Sequence, residues 1–186
     1  MIGLNDDELL AAMRPDLRNV VRSLAKRPGP LMTPLEMIEF NCGHAKRFMA
    51  GDFDGIMNHS LIDEPVYEFS PSRIRVSGKE AVHRYHELNY NIVIAQVDPK
   101  RRVTPAEESV TYTRTFGENS YGTEISGLFR LGEGEYQRCF FNAVIPFQDG
   151  KMVGERVWKD QKLSDFFVSA LESDGMFFDL PGVQRF

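Results

Sequence analysis

Three polar residues in the second half of the chain are spaced so that they can reach one surface: Glu124, Asn142 and Glu155. Glu155 lies in DGKMVGERVWKD, where apolar and charged residues alternate after Asp149-Gly150, a pair typical of two-residue hairpin turns. If the two strands pair outward from this turn without interruption, Asn142 is a diagonal neighbour of Glu155. This register predicts one face with Asn142, Val144, Glu155 and Val157, and an opposite face with Phe141 and Trp158.

The preceding hairpin has two possible registers. The stretch LGEGE can hold a three-residue loop with Gly134 in the left-handed conformation. That loop places Glu124 opposite Asn142 and Ser126 opposite Phe140, whereas a two-residue loop turns Glu124 to the other face. With the longer loop, three neighbouring strands direct Glu124, Asn142 and Glu155 to the same surface.

Two carboxylates on a partly apolar surface suit proton transfer. Like charge and loss of hydration raise their pKa values, which prepares one of them to act as a general acid or base near neutral pH. The alternative is a solvated surface on which both acids are simply exposed. Asn142 lies within the apolar run CFFNAVIPF, which favours a strand buried on both faces, where an asparagine needs hydrogen-bond partners.

A second group of candidates comes from an earlier strand and helix. Tyr67 and Glu68 are neighbours in VYEF, and because strand residues alternate between faces only one of them can point inward; Tyr67 is preferred. His86 is either an acid/base directed into the fold or a structural histidine. His83 precedes it by three residues, but no acid or cysteine at a suitable spacing completes a metal site, so no metal is expected.

Helices precede strands along the chain. Residues 5–27 have a helical pattern that ends at RPGP. A second helix begins at Thr33 with Pro34 and Glu36, the residues of a capping box, and its apolar spacing predicts a core face with Leu35 and Cys42, together with Ile38, Ala45 and Phe48 or Met49. Another helix follows Gly78, and four strands occupy residues 107–160. This order predicts an α+β domain in which a curved antiparallel sheet wraps around helices.

The bulk composition excludes several classes of protein. The chain has 186 residues, of which 42% are apolar, enough for one well-packed domain. The net charge is -5, with lysines and arginines scattered among acids, so nucleic acid is not an expected partner. The first residues are acidic, and no apolar run reaches 18 residues, so neither a signal peptide nor a membrane span is predicted. A cytoplasmic location is expected.

The order of elements and their motifs resemble a known superfamily. A helix ending in AGDFDGIM, the strand VYEF, a helix entered through GKEAVHRY and a meander closing on DGKMVGERVWKD are similar to the nuclear transport factor 2-like (NTF2-like) superfamily, and within it to the SnoaL-like group. The resemblance covers about residues 34–172. It implies a cone made by a curved sheet and three helices, a largely apolar pocket inside the cone and, commonly, a homodimer.

The resemblance also supplies residue matches. An acid that lines the pocket of limonene epoxide hydrolases corresponds to Val157, while their arginine and aspartate correspond to Glu124 and Ser126. A tyrosine and an asparagine that hold water correspond to Tyr67 and Phe69. Only the tyrosine is retained, so the epoxide hydrolase triad is not supported. The general base of ketosteroid isomerases corresponds to Glu68 or Phe69, and their oxyanion-hole aspartate falls near Asn142.

These observations lead to one preferred function. The sequence predicts a SnoaL-like enzyme that performs acid/base chemistry without a cofactor on an apolar carbonyl- or hydroxyl-bearing compound, by isomerisation, cyclisation or dehydration. The base is one of Glu124, Glu155 and Glu68, Asn142 and Tyr67 bind the developing oxyanion, and His86 assists. The residues expected to line the pocket are Ser126, Val144, Val157, Phe69 and Tyr90.

A different class of function uses the same fold. The alternative is a non-catalytic module or dimeric partner that holds a ligand in the cone, since a fold does not fix a function. In both cases the predicted organisation is an N-terminal helical extension over 1–30, the cone domain over 31–175 and a tail over 176–186. A homodimer formed through the sheet is expected.

Overall fold

The computed structural model describes residues 31–95, 109–132 and 136–186, without the side chains of residues 94 and 95. The predicted extension over 1–30 and the loop residue Gly134 lie outside this part. Among the described residues the helices are α1 (Pro34–Met49), α2 (Phe53–Gly55), α3 (Lys79–Ala95) and α4 (Gln161–Glu172), with a π-helical turn at Ile56–Ser60 and a 3₁₀ turn at Phe177–Asp179. The strands are β1 (Leu61–Ser70), β2 (Ile74–Ser77), β3 (Val110–Gly117), β4 (Ser120–Arg130), β5 (Tyr136–Gln148), β6 (Lys151–Lys159) and β7 (Val183–Arg185).

The seven strands form one sheet in the order β3-β4-β5-β6-β1-β2-β7. The β1–β6 pair is parallel, and the other neighbouring strands are antiparallel. The α+β class and the curved sheet packed on helices are confirmed. The C-terminal segment belongs to this domain, because β7 extends the sheet beside β2 and Phe177 is completely buried.

The first helix begins where its sequence predicts. The Thr33 side chain accepts a hydrogen bond from the Glu36 backbone N–H, and the Glu36 side chain accepts one from the Thr33 N–H, which is the predicted capping box. Of the predicted core face, Phe48 packs against the core, but other members do not. Leu35 and Cys42 are exposed, and the buried residues are Met37 and His44, so the helix is rotated relative to the face that its aliphatic spacing suggested.

The predicted register is confirmed for the β4–β5 hairpin, and for the β5–β6 hairpin it is confirmed next to the turn. Asp149 and Gly150 have positive φ angles of 50° and 74° and form the turn, with Gln148 opposite Lys151. In the other hairpin, Glu124 lies opposite Asn142 and Ser126 opposite Phe140, as the longer loop predicts. Farther from the Asp149-Gly150 turn, however, the pairing of β5 with β6 is interrupted, whereas the sequence predicted that it would continue.

A β-bulge in β6 exchanges the two faces of the strand for the residues that follow it, relative to uninterrupted pairing with β5. Met152 pairs with Phe147, but Val157 pairs with Ala143 and Lys159 with Phe141, so one residue of β6 is unmatched between the two sections. At this point Gly154 has a φ of 136°, and a Cβ atom there would lie 1.9 Å from the Val66 carbonyl oxygen. Only glycine fits this backbone conformation and close approach.

The consequence of this bulge is a change of face. Met152 lies in the core before the bulge, and Glu155, Val157 and Lys159 lie on the inner face after it. Asn142 lies opposite Trp158 and both point to the outer face, where Trp158 is 46% exposed. Across the described parts of the chain, no helix combines the length and the apolar content needed to span a bilayer.

Candidate active site

The inner face of the sheet and two helices enclose a cavity of about 170 Å³. Strand β6 contributes three alternating residues to its wall, α3 covers one side and the start of α4 another. The cavity is lined by Tyr85, Asn89, Val93, Phe129, Phe141, Glu155, Val157, Lys159, Leu163 and Phe167. The lining is mainly aromatic and aliphatic, with a carboxyl group and an amine on the same strand, and such an apolar pocket with few polar groups is typical of small-molecule sites.

Glu155 is the carboxyl group of this cavity. It lines the cavity, and burial raises the pKa of Glu155 to about 7, while the nearby positive charge of Lys159 limits that rise. Loss of hydration therefore outweighs attraction to the cation. At neutral pH both the acid and the carboxylate are populated, and this is the condition under which a group can both donate and accept a proton.

Lys159 is the amine of the cavity, and its position was missed in the sequence. Its Nζ lies 4.4 Å from the ring centre of Phe69 and 4.6 Å from that of Phe167. Burial lowers the pKa of Lys159 to about 8, against the opposing effect of Glu155. The signal was present, because Glu155, Val157 and Lys159 alternate along one strand and must share a face.

Behind the cavity lies a buried polar group formed by Tyr67 and His86. Tyr67 is paired with Glu155 in the β1–β6 register, and its hydroxyl lies 3.2 Å from His86 Nε2. Burial, with the neighbouring charge of Glu155 next in importance, raises the pKa of Tyr67 well above its usual value. Tyr67 therefore stays protonated and can donate a hydrogen bond. Of the rivals Tyr67 and Glu68, the tyrosine faces inward.

A second histidine joins this group from α1. The rings of His44 and His86 lie 5.6 Å apart, and the Nδ1 atoms of both are buried without a hydrogen-bond partner. Burial lowers the pKa of His44 to about 4 and that of His86 to about 3, with smaller contributions from positive neighbours. Both rings are therefore neutral at pH 7. His44 was not among the predicted site residues, although it continues the spacing of Met37 and Phe40 along α1.

The predicted cluster of Glu124, Asn142 and Glu155 does not form. Glu124 and Asn142 are exposed on the outer face, opposite each other, while Glu155 faces the cavity on the inner side. Their placement beside Glu155 was wrong because the pairing was assumed to continue without a bulge. The same bulge leaves Val144 on the outer face, opposite Arg156.

Glu68 and Ser126 also lie outside the cavity. Glu68 points to the outer face and forms an ion pair of 3.3 Å with Arg156. Ser126 is completely buried. Its hydroxyl interacts with Tyr112 at 3.1 Å and accepts a hydrogen bond from Arg138 at 2.8 Å, so these two side chains bury it on the outer side of the sheet. Neither residue reaches a ligand in the cavity.

Three predicted wall residues have different positions. Val157 lines the cavity, as expected. Phe69 is buried beneath the Lys159 ammonium group and supports the site from the neighbouring strand. Tyr90 does not belong to the lining, because its ring packs against Phe48 and Phe53 at centre distances of 5.8 and 5.5 Å.

His83 lies away from the cavity, where its Nε2 is 3.4 Å from Asp54 and its Nδ1 is 3.6 Å from Glu87. Among the described residues, no three histidine, cysteine, aspartate or glutamate side chains are arranged to hold a metal ion. The polar side chains that line the described cavity are those of Glu155, Lys159, Tyr85 and Asn89.

The fold is shared with known structures at low sequence identity. No protein-family model matches the chain, and no curated protein matches it significantly. A de novo designed protein with the NTF2 fold superposes with a TM-score of 0.53 and 10% identity, over 77% of this chain and 98% of that one. An uncharacterised protein with a cystatin-like fold from Silicibacter pomeroyi gives a TM-score of 0.51 and 12% identity, over 72% and 85% of the two chains.

A third similar structure is an LEH-like epoxide hydrolase from Mycobacterium tuberculosis, with a TM-score of 0.47 and 19% identity over 78% of this chain and 96% of that one. This similarity is too distant to carry an argument about a reaction. The comparisons confirm the NTF2-like, cystatin-like α+β fold, and the narrower SnoaL-like resemblance stays a prediction.

Proposed function

We propose that this protein is a small-molecule enzyme that moves a proton on an apolar carbonyl- or hydroxyl-bearing compound, with Glu155 as the general acid and base. The observation that carries the proposal is the position of Glu155 in an apolar cavity where burial brings its pKa to about 7. A carboxyl group exposed to water has a pKa near 4.3 and is a much weaker base.

The rest of the cavity supports proton transfer next to a carbonyl group. Lys159 supplies positive charge where an enolate oxygen would develop, and a fixed charge in a water-poor cavity stabilises such an oxygen more than water does. The apolar walls made by Phe141, Val157 and Phe167 favour a hydrocarbon body for the substrate. Glu155 then takes a proton from the carbon beside the carbonyl and returns it to another atom, which amounts to isomerisation or to the first step of a cyclisation or dehydration.

The cavity volume limits the size of the substrate. An apolar cavity of roughly 150 Å³ holds a molecule the size of benzene, and this cavity has about 170 Å³. The proposed substrate therefore places about one ring, or a chain of similar size, inside the cavity. Longer compounds would leave a part outside it.

The experiment is an exchange assay with small cyclic and aromatic ketones in D₂O, monitored by proton NMR. We expect the wild-type protein to catalyse exchange beside the carbonyl and Glu155→Gln to lower the rate about 10²- to 10⁴-fold, the usual contribution of a general base. Glu80→Gln is the matched control, because Glu80 is exposed in the first turn of α3. Ligand binding without exchange by any of these ketones would instead favour the non-catalytic binding module.

We also propose that two copies pair through the outer face of the sheet. Exposed aromatic residues from three strands support this: Tyr112, Phe140 and Trp158 are 51%, 47% and 46% exposed, and aromatic residues are enriched in the interfaces of protein assemblies. Sedimentation velocity on the full chain tests the proposal. We expect a dimer that Trp158→Arg dissociates; a wild-type monomer at tens of micromolar would contradict it.

A further inference from the structure

Lys159 differs from the other lysines of the described chain in what surrounds its amine. Its Nζ lies between the faces of Phe69 and Phe167, and its side chain lines both the site cavity and an adjoining void of about 10 Å³, which is room for about one water. Lys79 and Lys162, by comparison, are exposed, and Lys79 is paired with Asp63. Among the lysines of the described chain, Lys159 thus places its amine at the wall of an apolar cavity.

Two opposing influences decide how much of this amine is neutral. The two aromatic faces and the Glu155 carboxylate favour the ammonium form. Burial opposes them and prevails, because the pKa of Lys159 falls to about 8. At pH 7.5 the neutral fraction is then on the order of a hundred times that of an exposed lysine with a pKa of about 10.4. A neutral amine is the form of lysine that attacks carbonyl carbon.

We propose that Lys159 is a nucleophile that captures an aldehyde or ketone in this cavity as a Schiff base. The inference deepens the proposed function and rests on it, because it uses the same cavity and narrows the substrate to compounds with a reactive carbonyl group. Lys159 then acts through a covalent bond and not through its charge alone.

Each step of the capture is balanced within the site. The Nζ lone pair forms a bond to the carbonyl carbon, and a proton passes from nitrogen to oxygen to give a neutral carbinolamine. The Glu155 carboxyl group donates a proton to the carbinolamine oxygen, which leaves as water, and the nitrogen lone pair forms the C=N bond of an iminium ion. The resulting iminium cation and the Glu155 carboxylate balance each other in charge.

The spacing of the two groups suits the next step. Glu155 and Lys159 are four residues apart on one strand, which separates their Cα atoms by about 13 Å, and Val157 lies between them on the cavity wall. A compound bound to the nitrogen therefore extends toward the carboxylate. The iminium ion withdraws electrons from its neighbouring carbon, and the Glu155 carboxylate removes the proton there to give an enamine. In a β,γ-unsaturated compound this enamine is a dienamine, and reprotonation at its γ carbon followed by hydrolysis with water releases the conjugated isomer and restores the amine.

Few titratable groups face Lys159. Tyr85 comes from α3 and Glu155 from β6, and burial raises the pKa of Tyr85 well above its usual value, which keeps it neutral. Strand β1 contributes Phe69, and α4 contributes Leu163, Ser164 and Phe167. The described surroundings of the amine are thus apolar except for one carboxyl group, the hydroxyl-bearing side chains of Tyr85, Ser72 and Ser164, and the amide of Asn89.

The test is reductive trapping with a defined aldehyde. The full-length protein is incubated at pH 7.5 with substoichiometric benzaldehyde and sodium cyanoborohydride, which donates hydride to an iminium ion and leaves a stable secondary amine. Intact mass and peptide mapping then locate the adduct. We expect one adduct at Lys159, formed at least tenfold faster than at any other lysine, and a rate that rises with pH to a half-maximum near 8.

Variants separate a site effect from general lysine chemistry. Lys159→Arg keeps the positive charge and should lose the adduct, whereas Lys162→Arg, the matched control at an exposed position, should retain it. If peptide mapping of the wild-type protein shows adducts spread over the exposed lysines with no preference for Lys159, the Schiff base proposal is wrong. Peptide mapping of the wild-type protein needs no variant, so this outcome does not depend on whether Lys159→Arg folds.

The two proposals fail in different ways. Ketone exchange that needs Glu155, without trapping at Lys159, would keep the proton-transfer function and reject the Schiff base. Trapping at Lys159, without any exchange that depends on Glu155, would keep the covalent capture and reject the general base. Each result therefore contradicts one proposal and leaves the other standing.

Discussion

Glu68 and Glu155 lie on neighbouring strands, one residue apart in register, but on opposite faces of the sheet. Glu68 points outward and pairs with Arg156 at 3.3 Å, in contact with solvent. Glu155 points inward beside Tyr67, where burial raises its pKa to about 7. The comparison shows that the same side chain becomes an ordinary surface acid or a candidate base according to its hydration, and that the bulge at Gly154 decides which side of the sheet Glu155 occupies.

The largest effect is expected from removing the bulge. A side chain at Gly154 would meet the Val66 carbonyl oxygen at 1.9 Å while holding a φ of 136°. We expect Gly154→Val to lower the free energy of unfolding by about 3 kcal/mol or more, since backbone strain and overpacking add. Chemical denaturation measures this loss.

Gly132→Ala is the control for the backbone conformation alone. Gly132 also has a positive φ, of 79°, but nothing lies within 4 Å of a Cβ atom there. We expect a loss of only about 1 kcal/mol. Equal losses at the two positions would show that the close approach to Val66 contributes nothing.

The next effect concerns the pH dependence of stability. Because folding raises the pKa of Glu155 from 4.5 to about 7, the folded state holds a proton that the unfolded state releases between these values. Stability from this group is therefore present below pH 4.5 and falls as the pH rises to 7. The quantity compared is the free energy of unfolding at pH 8 minus that at pH 5. We expect this difference to be more positive for Glu155→Gln than for the wild type by roughly 2 to 3 kcal/mol.

Glu68→Gln provides the contrast from the outer face. Since Glu68 is solvated and ion-paired at the surface, its replacement should change the free energy of unfolding by less than about 1 kcal/mol at either pH. Urea denaturation at both pH values gives the comparison. A Glu155→Gln profile parallel to the wild type would mean that the inner carboxylate is as well hydrated as the outer one.

A smaller effect is expected from the buried histidine of α1. Burial lowers the pKa of His44 from 6.5 to about 4, so the unfolded state takes up a proton first as the pH falls from 6.5 to 4, and stability falls with it. Between pH 7 and pH 5, we expect the free energy of unfolding of His44→Phe to fall by about 2 kcal/mol less than that of the wild type. A pH dependence of stability in His44→Phe equal to that of the wild type would contradict the prediction.

The smallest effect lies on the outer face. Arg156→Gln removes the nearer of two arginines that pair with Glu68, the other being Arg75 at 3.9 Å, at a site where the Arg156 side chain is 56% exposed. We expect a loss of less than about 1 kcal/mol, which shrinks further in high salt. Thermal melts at two salt concentrations measure this loss. A loss of several kcal/mol that persists in high salt would contradict the solvated position of the Glu68–Arg156 ion pair on the outer face.

Local patterns predicted most of the elements correctly. The capping box at Thr33 and Glu36, the turn at Asp149-Gly150 and the alternation of Tyr67 and Phe69 depend on residues close in sequence, and all have the predicted form. The register of Glu124 against Asn142 is also correct, because loop length sets it. In each case the physical cause acts over a few residues and is therefore readable from the sequence.

The composition of the site was less predictable. Glu155 and Val157 were expected in the cavity and line it, but Glu155 is separated from Asn142 because the β5–β6 pairing is interrupted by the bulge. Lys159 followed from the same alternation and was overlooked. His44 was missed because leucine, isoleucine and cysteine elsewhere on α1 suggested a different core face, and hydrophobicity alone does not show which helix face a sheet will cover.

By itself the sequence determined the kinds of elements, their order, their turns and the alternation that keeps Glu155, Val157 and Lys159 on one face. Tertiary structure decided which face that is. Gly154 adopts its bulged conformation where β6 meets the backbone of β1 at Val66, a contact between segments about ninety residues apart, and one extra residue in a strand exchanges its two faces. The pKa values of Glu155 and Lys159 also depend on burial by α3, α4 and β1, because hydration is a property of the packed molecule and not of the residue.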